Sequence, residues 1–215
     1  MNEKIEILDI KPNDIEKRSM EIIEKELGDK VLPKENADVI KRVIHTTADF
    51  SYADNLCFSE GVVGLAIDAL KSGATIVTDT TMAYSGINKT YLEKLGCEAH
   101  CFIADEDIKE TAINRGITRS YASMEKAARL YDNLIIAVGN APTALISLYE
   151  MIQRGKISPK LIIGVPVGFV NVVPSKELIM KTDVPFIVAK GRKGGSNVAA
   201  AICNSLIYTA CGRKL

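Results

Sequence analysis

The feature that most constrains this chain is a regular alternation of short apolar runs with segments of helical periodicity. The runs are rich in Val and Ile and lie at Ala74–Thr78, Cys97–Ile103, Leu134–Val138, Leu161–Val165 and Phe186–Ala189. Runs that are apolar throughout are typical of parallel strands buried on both faces. The helical segments lie around them, at Gly61–Lys71, Lys89–Leu95, Ser123–Tyr131, Thr143–Arg154, Lys176–Lys181 and Ser196–Ala210. The pattern predicts an α/β fold, in which a doubly wound sheet of five parallel strands forms the middle of three α/β/α layers.

Two further helical patterns precede the first predicted strand, at Asp14–Leu27 and Lys34–Ile44. They predict an N-terminal helical extension to the sheet. A length of 215 residues suits one well-packed domain, and no repeat, low-complexity segment or linker divides the chain. We therefore expect residues 1–215 to form a single domain.

Composition excludes several classes of partner. Lys and Arg together number 27, as do Asp and Glu, so no global field attracts nucleic acid or an anionic membrane. The apolar stretches are far shorter than the roughly 20 residues needed to cross a bilayer, and the charged N-terminus lacks the apolar segment of a signal peptide. Five scattered cysteines suit reduced thiols in a cytoplasmic protein. Cys97 and Cys101 could suggest a metal site, but no second ligand pair has zinc spacing, so we predict no metal.

The loops that follow the predicted strands are where chemistry is expected, because ligands of open parallel sheets bind at the carboxyl ends of the strands. The loop Lys190–Asn197 combines glycines and basic side chains just before a helix, which favours an anion. The alternative is that the glycines only turn the chain and the charges are solvated. Neither a P-loop nor a Gly-x-Gly-x-x-Gly fingerprint is present, so nucleotide cofactors are unsupported and we expect no cofactor.

One of the two histidines stands out as a candidate acid/base. His45 ends the second helical pattern, with Arg42 one turn before it and Thr46 and Thr47 directly after it. An imidazole can give or take a proton at neutral pH, and neighbouring hydroxyls can fix its tautomer. The alternative is a C-terminal histidine that satisfies the last carbonyls of its helix. His100 lies in a predicted strand, where it could equally be a surface or a packed side chain.

Arginines recur near the predicted loops. A guanidinium binds carboxylates and phosphates in bidentate fashion, although a single surface Arg is more often merely solvated. Taken together the set predicts a polyanionic ligand, and its members are Arg18, Arg42, Arg115, Arg119 and Arg192.

Six segments, taken in order, resemble the precorrin-8X methylmutases. The resemblance spans nearly the whole chain, and it is carried by their joint order and spacing because each segment alone is weak. The segments are Arg18-Ser19, Arg42–Phe50, Thr78–Met82, Gly139–Leu145, Gly164–Asn171 and Gly191–Ser196.

This resemblance implies a homodimeric, cofactor-free isomerase of corrin biosynthesis with a flavodoxin-like sheet. The implied reaction moves a methyl group from ring carbon 11 to ring carbon 12, turning precorrin-8X into hydrogenobyrinic acid or cobalt-precorrin-8 into cobyrinic acid. The histidine matching His45 is implied to exchange the proton that triggers a 1,5-sigmatropic shift. Besides the arginines, we expect the substrate to contact Ser19, Thr80, Thr81, Asn140 and Asn171, and its flat face to lie on Met82, Ala83, Val167 and Phe169.

Two other functions stay open at this point. The first is a tetrapyrrole-binding carrier, which would hold the ring without transforming it and would tolerate substitution of His45. The second is an unrelated α/β enzyme that binds a phosphorylated small molecule through the glycine-rich loop before the last helix.

Overall fold

The computed structural model describes residues 11–213 and contains one mixed sheet of six strands. The strands are β1 (Leu56–Phe58), β2 (Thr75–Thr78), β3 (Glu98–His100), β4 (Leu134–Val138), β5 (Leu161–Gly164) and β6 (Phe186–Ala189). Their order across the sheet is β1-β6-β5-β4-β2-β3. Strand β1 pairs antiparallel with β6, and all the other pairings are parallel.

The predicted sheet of five parallel strands is therefore wrong in its number of strands and in being parallel throughout, and the five-stranded flavodoxin-like sheet is not confirmed. The five predicted runs are β2 to β6, and the missing strand is β1 at the edge of the sheet. Only Leu56 is buried in this three-residue strand, so the segment lacks the apolar pattern of a central strand. Its register is set by pairs such as Cys57 opposite Val188.

Eleven α-helices lie within the described residues, and none of them is long and apolar enough to span a membrane. They are α1 (Ile15–Leu27), α2 (Ala37–Thr47), α3 (Tyr52–Asn55), α4 (Val62–Lys71), α5 (Thr81–Gly86), α6 (Lys89–Lys94), α7 (Glu106–Arg115), α8 (Arg119–Leu130), α9 (Pro142–Gln153), α10 (Val172–Met180) and α11 (Ser196–Ala210). Helices α3, α5 and α7 were not predicted, and α8 and α10 begin four residues earlier than the sequence pattern indicated. Helices α1 and α2 are the predicted N-terminal extension.

The sheet separates two hydrophobic cores, as strand β4 illustrates. Ile135 and Ala137 face a core shared with α2, α4 and α11, whereas Leu134, Ile136 and Val138 face a core shared with α8, α9 and α10. Every residue of β4 is buried, which explains why its sequence is apolar throughout. The result is a three-layer arrangement with helices on both faces of the sheet.

A buried carboxylate joins two loops at the carboxyl edge of the sheet. Asp79, directly after β2, is 1% exposed and accepts hydrogen bonds from the backbone N–H groups of Gly139 (2.8 Å), Asn140 (2.8 Å) and Ala141 (2.7 Å) after β4. Burial raises the pKa of Asp79, an effect that the three N–H donors oppose. These bonds satisfy amides at the start of α9 and fix the β4 loop against the β2 loop.

We expect Asp79→Asn to lower the free energy of unfolding by about 2–3 kcal/mol, because an amide NH₂ would face backbone donors that now bind a carboxylate oxygen. Urea unfolding followed by circular dichroism measures the change. Asp68→Asn, at an exposed position of α4, is the matched control and should change stability by less than about 0.5 kcal/mol. Equal effects of the two substitutions would show that the Asp79 bonds do not anchor the loops.

Candidate active site

The loops that leave the carboxyl ends of β2, β4 and β6 meet at one edge of the sheet. Thr80 caps α5 by accepting from the Ala83 N–H (3.1 Å), and its hydroxyl lies 2.8 Å from that of Ser196, the first residue of α11. Gly139 packs so closely on this point that a Cβ atom there would lie 2.6 Å from the Ser196 Cα. Ser196 was not predicted as a site residue, although it lies at the end of a glycine-rich loop, where a helix begins.

Three other predicted polar residues lie at the same edge with exposed side chains. Thr81 begins α5, Asn140 follows β4, and Asn171 precedes α10. The backbone of Asn171 is left-handed, with φ of 57°, a conformation that Asn tolerates better than most residues. Within residues 11–213 these three side chains make no hydrogen bond, so they remain available to a ligand.

Large apolar side chains are exposed beside these polar groups. Met82 is 70% exposed, Phe169 81% and Val167 47%. Exposed apolar groups that cluster near polar ones mark binding surfaces more often than isolated ones do. Ala83, which was expected to contribute to the same surface, is fully buried, because its side chain faces the core beneath α5. The expectation for Ala83 is therefore wrong.

The glycine-rich loop after β6 is held tightly against the loop after β5. The N–H of Gly195 donates to the Val165 carbonyl (2.9 Å), and a Cβ atom at Gly194 would lie only 2.1 Å from that oxygen. The guanidinium of Arg192 lies over the Phe169 ring, 5.3 Å from its centroid. Lys193 donates to the Asp49 carboxylate (2.6 Å) and thereby joins this loop to the segment after α2.

A buried lysine supports the same loop from beneath. Lys176 in α10 is 1% exposed, and its Nζ donates to the carbonyls of Gly191 and Lys193, both at 2.8 Å. Burial lowers the pKa of Lys176 to about 8. The sequence contains a signal for it, since Lys176 falls at helical spacing between the buried residues Val172 and Ile179, but it was interpreted only as the start of a helix.

His45 lies in the last turn of α2, where neighbouring hydroxyls bond carbonyls one turn earlier in the helix. The hydroxyls of Thr46 and Thr47 donate to the carbonyls of Arg42 (2.9 Å) and Val43 (2.8 Å), and the N–H of Ala48 donates to Ile44 (2.7 Å). The imidazole is exposed and has no hydrogen-bond partner within the described part of the chain. It therefore does not bond the last carbonyls, and the two hydroxyls do not orient it.

The His45 side chain lines a surface groove of about 340 Å³ between α1 and α2. The predicted residue Ser19 lines the same groove, and its hydroxyl donates to the Ile15 carbonyl (2.9 Å). The other lining residues are mainly apolar, namely Ile22, Ile23, Glu26, Ile44, Ala48 and Phe50. The structure thus brings Ser19 and His45 together.

Arg42 is buried and engaged by the protein itself. Its guanidinium pairs with Glu16 (2.7 Å) and lies 5.3 Å from the centroid of the Tyr208 ring. Glu16 also pairs with Arg213 (2.6 Å). Partial burial raises the pKa of the Glu16 carboxyl, but Arg42, Arg213 and His45 together lower it below its usual value. This cluster fastens α1 to α2 and α11 beside the His45 groove.

The remaining predicted arginines lie in three different places. Arg18 is on the exposed face of α1 and pairs with Glu21 (2.9 Å). Arg115 ends α7 and pairs with Glu125 of α8. Arg119 begins α8 and is exposed, next to Thr118, whose hydroxyl donates to that of Thr143 at the start of α9 (2.8 Å). Of these three, Arg119 lies nearest to the carboxyl edge of the sheet.

Other candidate sites have less to support them. No group of three or more His, Cys, Asp or Glu side chains is placed to hold a metal within residues 11–213. His100 bonds Glu98 (3.1 Å) and stacks on Phe102 and Tyr131. A cavity of about 730 Å³ lies at the opposite edge of the sheet, where its lining includes Lys160 and Val184, which precede β5 and β6. Ligands of parallel sheets bind at the carboxyl edge, so the loops described above are the candidate site.

Comparison with known proteins identifies the family of this chain. A family model described as precorrin-8X methylmutase matches residues 14–209. The cobalt-precorrin-8 methylmutase of Leptospira interrogans is 42% identical over 207 residues, which cover 93% of this chain and 94% of the relative. That of Salmonella typhimurium is 48% identical over 171 residues, which cover 79% and 80%. The precorrin-8X methylmutase of Thermus thermophilus superposes with a TM-score of 0.85 at 37% identity, covering 93% of this chain and 98% of that structure. This chain belongs to the precorrin-8X methylmutase family of cobalamin biosynthesis, whose members are isomerases that transfer a methyl group within one molecule.

Proposed function

We propose that this protein moves a methyl group from ring carbon 11 to ring carbon 12 of precorrin-8X or cobalt-precorrin-8, with His45 as its acid/base. The products are hydrogenobyrinic acid and cobyrinic acid, respectively. The observation that carries the proposal is the state of His45, whose imidazole is exposed on a groove and free of protein hydrogen bonds within residues 11–213. An imidazole that exchanges protons with a ligand needs a ring nitrogen that is accessible and not bonded to the protein.

In the proposed mechanism protonated His45 donates its proton to the conjugated ring system near the migrating methyl group. The added charge makes the ring more electrophilic, and the methyl group then moves by a 1,5-sigmatropic shift. The C-11 bond to the methyl carbon breaks as the C-12 bond forms, and the proton returns to His45. No electron is gained or lost overall, so the step needs no redox partner.

The loops at the carboxyl edge supply complementary contacts for such a substrate. The flat conjugated face requires apolar contact, for which Met82, Val167 and Phe169 are exposed. The carboxylate side chains of the ring require cations, for which Arg192 and Arg119 are exposed at this edge. We propose Ser19, Thr80, Thr81, Asn140 and Asn171 as further substrate contacts. Arg18, Arg42 and Arg115 stay predicted contacts, but each must exchange the glutamate that it now pairs with for a ring carboxylate.

The family resemblance also leads us to propose a homodimer that acts in the cytoplasm. Light scattering of the purified protein measures its mass, and a value near that of one chain would exclude the dimer.

The direct test is to incubate the purified protein with precorrin-8X, and separately with cobalt-precorrin-8, and to follow the visible absorption spectrum. We expect the spectrum to change to that of the rearranged ring with at least one of the two, and this comparison also reveals the metal preference. Binding with an unchanged ring would favour the tetrapyrrole carrier. Failure to bind either compound would contradict the proposal and favour the alternative of an enzyme that binds a phosphorylated small molecule.

His45→Ala should lower turnover by about 10²- to 10⁴-fold while the protein stays folded, because general acid–base help of this kind is lost. Because the imidazole of His45 is exposed, the substitution removes few packing contacts. His100→Ala is the matched control and should keep turnover within about threefold of wild type, since His100 lies in the edge strand β3. Steady-state kinetics and circular dichroism compare the two. Near wild-type turnover of His45→Ala would end the proposed role.

Arg192→Gln should raise KM by about 10- to 100-fold with little change in turnover, because it removes one charged contact to a ring carboxylate in both ground and transition states. Arg154→Gln, at the exposed end of α9, is the control for loss of a surface guanidinium and should leave KM unchanged. An unaltered KM for Arg192→Gln would show that Arg192 does not bind a carboxylate of the ring.

A further inference from the structure

The loop Lys190–Ser196 is shaped by hydrogen bonds that turn two of its carbonyls inward. Both belong to peptide groups on either side of Arg192 and Lys193, and both accept from the Nζ atom of Lys176 at 2.8 Å. Gly191 has a left-handed backbone, with φ of 72°, which lets the chain adopt this turn. The two carbonyls therefore point toward α10 and away from solvent.

The same peptide groups carry N–H groups that must point the other way. In a trans peptide the carbonyl and the N–H lie in one plane and point in opposite directions, and the described chain contains no cis peptide bonds. The carbonyl of Gly191 shares its plane with the N–H of Arg192, and that of Lys193 shares its plane with the N–H of Gly194. Neither N–H has an acceptor in the part of the chain that the structure describes.

The outward side of this loop is the side that a ligand reaches. Arg192 extends over the ring of Phe169, which is 81% exposed. Two free N–H groups separated by one residue, together with a nearby guanidinium, form the kind of backbone concavity that binds anions. The inward side is closed, because Lys176 is 1% exposed and Gly194 packs on the Val165 carbonyl.

We propose that Lys176 is a positioning residue: by binding the carbonyls of Gly191 and Lys193 it turns the N–H groups of Arg192 and Gly194 outward as a cradle for one carboxylate of the tetrapyrrole. This inference rests on the proposed function for the identity of the ligand. Lys176 itself is too deeply buried to touch substrate, so it acts only through the loop. Burial lowers the pKa of Lys176 to about 8, and a neutral amine still has the two hydrogens that the two carbonyls need.

Lys176→Met tests the proposal, because it keeps the length and most of the volume of the side chain but removes its donors. We expect KM to rise about tenfold with turnover within about threefold of wild type, and the dissociation constant for the tetrapyrrole, measured by absorbance titration, to rise equally. Hydrogen exchange of the peptide 190–197, followed by mass spectrometry, should be faster than in wild type. Lys181→Met, at the exposed end of α10, is the control and should change none of these quantities.

A double-substitution cycle separates positioning from simple loss of stability. If Lys176 acts through the loop that carries Arg192, Arg192→Gln should weaken binding less in the Lys176→Met background than in wild type. If Arg192→Gln weakens binding by the same factor in the Lys176→Met background as in wild type, the two residues act independently and the proposal is overturned. Unchanged affinity in a Lys176→Met protein whose loop exchanges faster would also overturn it. Should Lys176→Met fail to fold, Lys176→Gln keeps an NH₂ donor group on a shorter side chain and is expected to show a smaller shift in the same direction. Unchanged affinity and exchange in that variant would refute the role.

These readouts also distinguish failure of the inference from failure of the proposed function. Absorbance titration and hydrogen exchange do not require turnover, so the cradle is tested even if the ring is bound without being rearranged. Wild-type protein that converts the tetrapyrrole while Lys176→Met binds it equally well would refute the cradle alone. Wild-type protein that binds no tetrapyrrole would refute both.

Discussion

The arrangement of the site depends most on the hydrogen bonds that the Asp79 carboxylate accepts. This carboxylate is buried just beyond the carboxyl ends of β2 and β4, where it accepts hydrogen bonds from three backbone N–H groups of the loop after β4. A charge in this position is costly unless it is hydrogen-bonded, so the loop must follow the carboxylate closely. The position of this loop in turn places Gly139 against Ser196, and Ser196 against Thr80. Three loops at the carboxyl edge are thereby fixed relative to one another by contacts that a ligand does not have to provide.

The sequence predicted the central strands because their burial leaves a strong pattern. All five residues of β4 are buried, and an unbroken apolar run is the direct consequence. Strand β1 escaped prediction because only Leu56 is buried in it, and its pairing with β6 depends on tertiary contact. Helix α7 escaped because it is mostly polar and buries only Ile108 and Ala112. Elements that bury few residues leave no clear hydrophobic pattern, so a single sequence does not reveal them.

The sequence predicted which types of residue form the site, but not the hydrogen bonds and ion pairs that each of them makes. The sequence left two interpretations of His45 open, and the choice depended on whether its imidazole bonds the last carbonyls of α2. The imidazole bonds none of the described carbonyls, and the hydroxyls of Thr46 and Thr47 bond those of Arg42 and Val43 one turn earlier, which spacing alone does not decide. Likewise, the arginines looked equivalent in sequence, whereas the partners of each guanidinium depend on the fold. Arg42 is buried against Glu16, and Arg192 is exposed over Phe169.

The same physical device operates at both ends of the candidate site. At the end of α2, the hydroxyls of Thr46 and Thr47 bond carbonyls one turn earlier and do not bond the imidazole of His45. In the loop after β6, the buried amine of Lys176 occupies two carbonyls and leaves N–H groups free on the opposite side. In each case a side chain bonds backbone carbonyls, while a nearby imidazole or N–H group has no partner among the described residues. Because the Lys176 bonds exist before any ligand arrives, the N–H groups of the loop are oriented in advance, which is the condition that preorganised catalysis requires.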